Sequence, residues 1–67
     1  MKGLAFNSMR YGKRYRLVNY GELYEFEVLE VKGGDHFLLK DLFTLETYTM
    51  EDLIRFGKGD DFEIREM

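Results

Sequence analysis

The chain has 67 residues, with 10 basic and 13 acidic side chains, a net charge of −3 and no cysteine. A chain of this length forms one domain and buries only about 60% of the surface that it exposes when unfolded. It contains neither disulfides nor thiolate ligands, and its single histidine, His36, is too little for a His-rich metal site. We therefore expect no cofactor, no bound metal and a reducing, cytoplasmic location.

No apolar run reaches the ~18 residues needed to span a membrane, so we expect no membrane association. The first 10 residues show no clear hydrophobic period, and we expect them to be loosely ordered. A single domain then covers residues 11–67. We expect the protein to be a monomer or a weak dimer.

Short alternating runs separated by glycine-containing turns predict an all-β fold. The first two predicted strands, over 13–18 and 23–31, form a hairpin around the turn Asn19–Glu22. With Val18 opposite Leu23, one face of the hairpin is apolar and the other pairs opposite charges. The predicted pairs are Leu17 with Tyr24, Tyr15 with Phe26, Arg16 with Glu25, and Arg14 with Glu27.

In the second strand the apolar residues of the inner face are even-numbered up to Val28 and odd-numbered from Leu29 onward, which is a change of parity. An undisturbed strand cannot direct both sets toward one core, so we predict a bulge or a bend at this point. A loop over 33–35 then leads into the third strand, over 36–41. This loop length predicts that Val31 lies opposite Phe37 and Leu29 opposite Leu39.

The fourth predicted strand covers 45–50, a helical turn follows over 51–56, and the fifth strand covers 61–66. Thr49 and Asp52 have the spacing of a capping box, and Gly57 suits a left-handed end of the turn. The turn is too short to persist alone. We expect Leu53, Ile54 and Phe56 to provide apolar contacts that close one end of a small barrel.

The segment EFEVLEV…DHFLLKDLFTLETYTMEDLIRF resembles the SH3-like barrel and is most similar to Tudor-like domains. The resemblance is topological and covers about residues 13–66. It implies an all-β, five-stranded SH3-like barrel with one short helical turn before the last strand. The whole chain also resembles small bacterial proteins of this architecture.

Tudor-like domains hold methylated lysine or arginine in an aromatic cage on the loops after the first and third strands. The resemblance places Tyr20 and Phe43 in these loops, with Tyr24 or Tyr48 as further walls. The resemblance also places Asp41 at the position of the family's acidic turn residue. The family usually has Asp-Tyr-Gly there, whereas this sequence has Asp41-Leu42-Phe43.

The leading hypothesis is a non-catalytic module that recognises a peptide or a partner protein through these loop aromatics and nearby acids. The alternative is a nucleic-acid or ribosome-associated module that uses a basic patch. The patch consists of Arg10, Lys13, Arg14 and Arg16. The negative net charge and the predicted glutamate partners of two of these arginines disfavour nucleic acid.

Two other arrangements of polar side chains have the residue types of a chemical site. Asp35 beside His36 suggests acid–base chemistry, but no matched nucleophile accompanies the pair, and we do not expect an enzyme. Asp60 and Asp61, with Glu63 nearby, offer oxygen ligands for a hard cation but lack the spacing of a calcium loop.

Overall fold

The computed structural model describes residues 8–32 and 36–67. Its elements in chain order are β1 (Arg14–Asn19), β2 (Glu22–Lys32), β3 (His36–Asp41), β4 (Thr47–Thr49), α1 (Met50–Leu53) and β5 (Glu63–Glu66). The five strands form one antiparallel sheet in the order β4-β3-β2-β1-β5. The predicted all-β class, with one short helix before the last strand, is confirmed. This arrangement is compatible with a small barrel-like fold.

The β1–β2 hairpin has the predicted register. Its paired residues are Arg14 with Glu27, Tyr15 with Phe26, Arg16 with Glu25, Leu17 with Tyr24, and Val18 with Leu23. The expected ion pairs form on the outer face, at 2.8 Å between Arg16 and Glu25 and at 3.5 Å between Arg14 and Glu27. The cross-strand charge pattern therefore identified this register correctly.

The predicted irregularity in β2 is also confirmed, because the pairing with β3 shifts between Val28 and Glu30. Val31 lies opposite Phe37, as predicted. The predicted pairing of Leu29 with Leu39 is wrong, since Val28 occupies that position and Leu29 is the extra residue of the bulge. The predicted loop over 33–35 lies outside the described residues.

The core lies on the inner face of the sheet, where every strand except β4 contributes a fully buried side chain. Its buried apolar residues are Met9, Tyr15, Leu17, Phe26, Val28, Phe37, Leu39, Met50 and Ile64. The rings of Tyr15 and Phe26 pack with their centroids 6.3 Å apart. Met9 belongs to this core, while residues 1–7 of the predicted N-terminal segment lie outside the described residues. The boundary between residues 10 and 11 stays a prediction.

The capping box at the start of α1 forms as predicted. The Thr49 side chain accepts a hydrogen bond from the Asp52 amide, and the Asp52 carboxylate accepts one from the Thr49 amide. With Thr49 as the cap, Met50 belongs to the helix and its side chain is buried. The predicted fourth strand was too long at its start, because Leu45 (φ +64°) belongs to the preceding turn.

Leu53 and Ile54 pack against the core as partly buried side chains. Phe56 does not, because its side chain is 83% exposed, and the apolar contact expected of it is wrong. α1 ends at Leu53, so Phe56 lies beyond the helix in the connection to β5. Within the described ranges, no helix has the length and apolar character to cross a membrane.

Candidate binding site

Asp41 organises the turn between β3 and β4. Its Oδ1 accepts hydrogen bonds from the amides of Phe43 (2.8 Å) and Thr44 (2.9 Å). Its backbone carbonyl accepts from the Leu45 amide, and its own amide donates to the Glu46 carbonyl. The hydrogen bonds of Asp41 therefore fix the backbone of this turn. The turn nevertheless exposes two large apolar residues, Phe43 (76% accessible) and Leu45 (63% accessible).

Two tyrosine hydroxyls next to this turn are engaged by carboxylates. The Tyr48 hydroxyl donates to Oδ2 of Asp41 at 2.9 Å, and the Tyr24 hydroxyl donates to Glu22. The bond to Glu22 raises the pKa of Tyr24. Burial, followed by the bond to Asp41, raises the pKa of Tyr48, and the charge of Tyr24 adds to the increase.

The connection between β1 and β2 consists of Tyr20 and Gly21, both with positive φ (+51° and +75°). This is the pattern of a type I′ turn, in which asparagine or aspartate usually precedes glycine. The Asp61 carboxylate accepts hydrogen bonds from both amides, at 2.8 Å from Tyr20 and 2.7 Å from Gly21. These bonds lower the pKa of Asp61, the Gly21 amide having the larger effect.

Asn19 joins the end of β1 to the segment after α1. Its side chain is buried and makes three hydrogen bonds. Nδ2 donates to the carbonyls of Leu53 (3.3 Å) and Gly57 (3.0 Å), and Oδ1 accepts from the Gly59 amide (2.8 Å). Because all its polar atoms are paired, a buried asparagine can hold an irregular segment against the sheet.

An open groove of about 710 Å³ lies where the β1–β2 turn meets α1 and the segment that follows it. It is lined by Asn19, Tyr20, Glu22, Tyr24, Asp52, Leu53, Arg55 and Phe56. Two of the five predicted binding residues, Tyr20 and Tyr24, therefore share one groove. Asp41, Phe43 and Tyr48 are not part of its lining.

Hydrogen bonds join these three residues to one another, because Tyr48 bonds to Asp41, whose carboxylate holds the Phe43 amide. The Leu42 amide also donates to the Glu25 carbonyl, next to Tyr24. We call the set Tyr20, Tyr24, Tyr48, Asp41 and Phe43 the candidate strip. The Tudor-like resemblance puts Tyr20 and Phe43 in one cage, but only Tyr20 belongs to the groove lining.

The basic patch is partly neutralised. Arg14 and Arg16 have glutamate partners on β2, whereas Arg10 and Lys13 show no ion pair among the described residues. The backbone of Lys13 pairs with Val28, so this turn is anchored to β2. Between these two cations, the side chain of Tyr11 is 73% exposed.

The two other arrangements find different partners. His36 Nδ1 lies 2.9 Å from Glu51 on α1, and both side chains are exposed, while Asp35 lies outside the described residues. Asp61 faces backbone amides. In the part of the chain that the structure describes, no three His, Cys, Asp or Glu side chains are grouped to hold a metal ion.

Sequence reasoning did not assign three residues to this site: Asn19, Phe56 and Asp61. Asn19 and Asp61 lie in polar, glycine-containing stretches, where such residues usually serve local turns. Their actual partners are 34 to 41 residues away. Phe56 falls within the predicted helical turn over 51–56, but the helix ends at Leu53.

The fold and the strip together define a small all-β domain with an exposed aromatic surface. The FMRFamide related peptide family matches residues 3–13 and 51–58, less than a third of the chain. Both segments contain Arg-aromatic-Gly-Lys, at 10–13 and 55–58, and both glycines have positive φ. The match thus joins two similar turns at separate places, and it establishes neither a family nor a function. No curated protein and no solved structure matches the chain.

Proposed function

We propose that the protein is a small non-catalytic binding module that takes a basic segment of a peptide or partner protein along the candidate strip. One observation carries the proposal. Among the described residues, Tyr20 and Leu45 are the non-glycine residues with positive φ, and both are exposed, one in the β1–β2 turn and one in the β3–β4 turn. Such conformations cost of order 1–3 kcal/mol and cluster at functional sites.

The hydrogen bonds within the strip favour a cationic ligand. The hydroxyls of Tyr20, Tyr24 and Tyr48 all donate within the protein. The tyrosines therefore offer their rings rather than free hydroxyl donors, and the groove adds the carboxylates of Glu22 and Asp52. Arg55, the one arginine of the groove lining, lies 3.6 Å from Asp52. Aromatic faces beside carboxylates attract guanidinium and ammonium groups.

The finer fold assignment, an SH3-like barrel of the Tudor-like kind, belongs to the same proposal. It is supported by the strand order, by the bulge in β2 and by the short helix before β5. The cytoplasmic location likewise stays an expectation from composition.

Calorimetric titration with short peptides tests the proposed function. We expect acetyl-Gly-Arg-Gly-amide to bind and the matched acetyl-Gly-Glu-Gly-amide not to bind. Phe43→Ala should weaken binding of the arginine peptide about 2- to 5-fold, the size of an exposed cation–π contact. Tyr11→Ala is the matched control, because it removes an equally exposed aromatic outside the strip. Equal binding of both peptides, or of neither, would reject the proposal.

The exposed Tyr11 between Arg10 and Lys13 supports a second candidate, a contact with single-stranded nucleic acid through stacking and phosphate pairing. Retention on heparin and on an oligonucleotide resin at about 0.15 M salt tests it. The second candidate requires retention that is lost in Arg10→Gln/Lys13→Gln. Flow-through of the wild-type protein would exclude it.

A further inference from the structure

Tyr20 is held at three points by the segment that connects α1 to β5. Its amide donates to Asp61 Oδ1 at 2.8 Å, and its hydroxyl donates to the Phe56 carbonyl at 3.0 Å. Its ring lies against Gly59, where an added Cβ would be only 3.0 Å from the ring atoms Cδ1 and Cε1. Backbone, ring and hydroxyl are all fixed, although the side chain is 59% exposed.

We propose that Asp61 is a positioning residue that holds Tyr20 as a preformed wall of the groove. This inference rests on the proposed function. Asp61 uses both carboxylate oxygens for the two residues of the turn. A type I′ turn is ordinarily stabilised by an asparagine or aspartate of its own. Here the turn contains a tyrosine, and the carboxylate comes from about 40 residues further along the chain.

We call these three contacts of Tyr20, with Asp61, with Phe56 and with Gly59, the clasp. The clasp determines which part of Tyr20 a ligand can reach. The Cδ1 and Cε1 atoms of the ring lie against Gly59, and the hydroxyl is engaged. Contact with a ligand is left to the exposed part of the ring, so Tyr20 recognises a ligand through its aromatic atoms rather than through its hydroxyl. An aromatic that is already immobilised loses less conformational entropy when a ligand binds. Asp61 therefore contributes to affinity without touching the ligand.

Two variants and one matched control separate this role from a general effect on the fold. Asp61→Asn removes the charge and one of the strong acceptors, and Asp60→Asn makes the same charge change at the neighbouring position. Gly59→Ala keeps the Asp61 carboxylate but crowds both partners of the contact, because the new Cβ would lie 3.0 Å from two ring atoms of Tyr20 and 3.1 Å from Asp61 Oδ1. The spectra of all three variants should retain the dispersion of a folded protein.

Amide NMR tests the clasp without any ligand. In the wild type, the Tyr20 and Gly21 amides should shift together as pH falls, with a midpoint below the ordinary aspartate value of 3.8. In Asp61→Asn this titration should vanish, and in Asp60→Asn it should persist. A Tyr20 amide that titrates unchanged in Asp61→Asn overturns the inference.

Binding of acetyl-Gly-Arg-Gly-amide then tests the consequence. Asp61→Asn and Gly59→Ala should each bind the peptide about 2- to 12-fold more weakly, the range expected for ordering one side chain. Asp60→Asn should match the wild type. Unchanged affinity in both variants overturns the positioning role while leaving the proposed function in place. If the wild type itself does not bind, the proposed function fails, and the clasp is decided by the amide titration.

Discussion

The hydroxyl of Tyr48 donates a hydrogen bond to Oδ2 of Asp41 at 2.9 Å. The same carboxylate accepts the amides of Phe43 and Thr44 through its other oxygen. One side chain therefore joins the edge strand β4 to the turn that exposes Phe43. The candidate strip depends on these Asp41 hydrogen bonds, because they fix the position of Phe43 relative to Tyr48.

Replacing Asp41 with alanine should loosen the turn and lower the free energy of unfolding by about 1–2 kcal/mol, the usual effect of losing a capping carboxylate. Urea denaturation measures this loss. Glu46→Ala is the control, since it removes a carboxylate from the same exposed turn. Equal stability of the two variants would show that the Asp41 bonds do not hold the turn.

Asn19→Ala should lower the free energy of unfolding by about 2–3 kcal/mol, because it leaves the Gly59 amide and two carbonyls without their partner. Asn19→Asp is the informative companion. It keeps an acceptor for Gly59 but turns a carboxylate oxygen toward the carbonyls of Leu53 and Gly57. We expect it to be no better tolerated than alanine at pH 7. A stable Asn19→Asp protein would contradict the assigned hydrogen bonds.

Met50→Ala should lower the free energy of unfolding by about 2–5 kcal/mol, since the Met50 side chain is the fully buried contact between α1 and the core. Leu53→Ala should cost less, because Leu53 is only partly buried. Phe56→Ala should change stability by less than about 0.5 kcal/mol, as for other exposed positions. If Phe56→Ala lowered the free energy of unfolding as much as Met50→Ala, in thermal or urea unfolding, this placement of the helix would be refuted.

The β1–β2 hairpin and the bulge were predictable because their determinants are local. Arginines and glutamates alternate in phase on two strands joined by a two-residue turn, so only one register pairs them. The change of parity after Val28 likewise marks the bulge from the sequence alone. The error at Leu39 arose because parity locates a bulge without saying which residue is left unpaired.

The candidate site was predictable only in part. The residue types of Tyr20 and Phe43 and their positions in turns are visible in the sequence. The clasp by Asp61 and the bonds of Asn19 are not, because they join residues 34 to 41 positions apart through an irregular segment. Only the folded chain brings that segment beside the β1–β2 turn.

Stability should fall in acid. Backbone amides hold the pKa values of four carboxyl groups below their ordinary values, and these are Asp41, Glu51, Asp52 and Asp61. A carboxyl group with a lowered folded pKa stabilises the protein above its unfolded pKa, and this contribution is lost as pH falls through the folded value. Urea unfolding should therefore give the same stability at about pH 7 and pH 5 but a lower one below about pH 4. Equal stability at pH 7 and pH 3 would contradict the assigned amide bonds.

Amide NMR of the labelled protein, titrated with acetyl-Gly-Arg-Gly-amide, tests the central claim most directly. We predict that the shifted amides map to the candidate strip and the adjoining groove, around Tyr20, Tyr24, Phe43 and Tyr48. The amides of the basic turn at 10–13 should remain unchanged. Shifts confined to that turn, spread evenly over the surface, or absent at saturating peptide would contradict a binding module built on this strip.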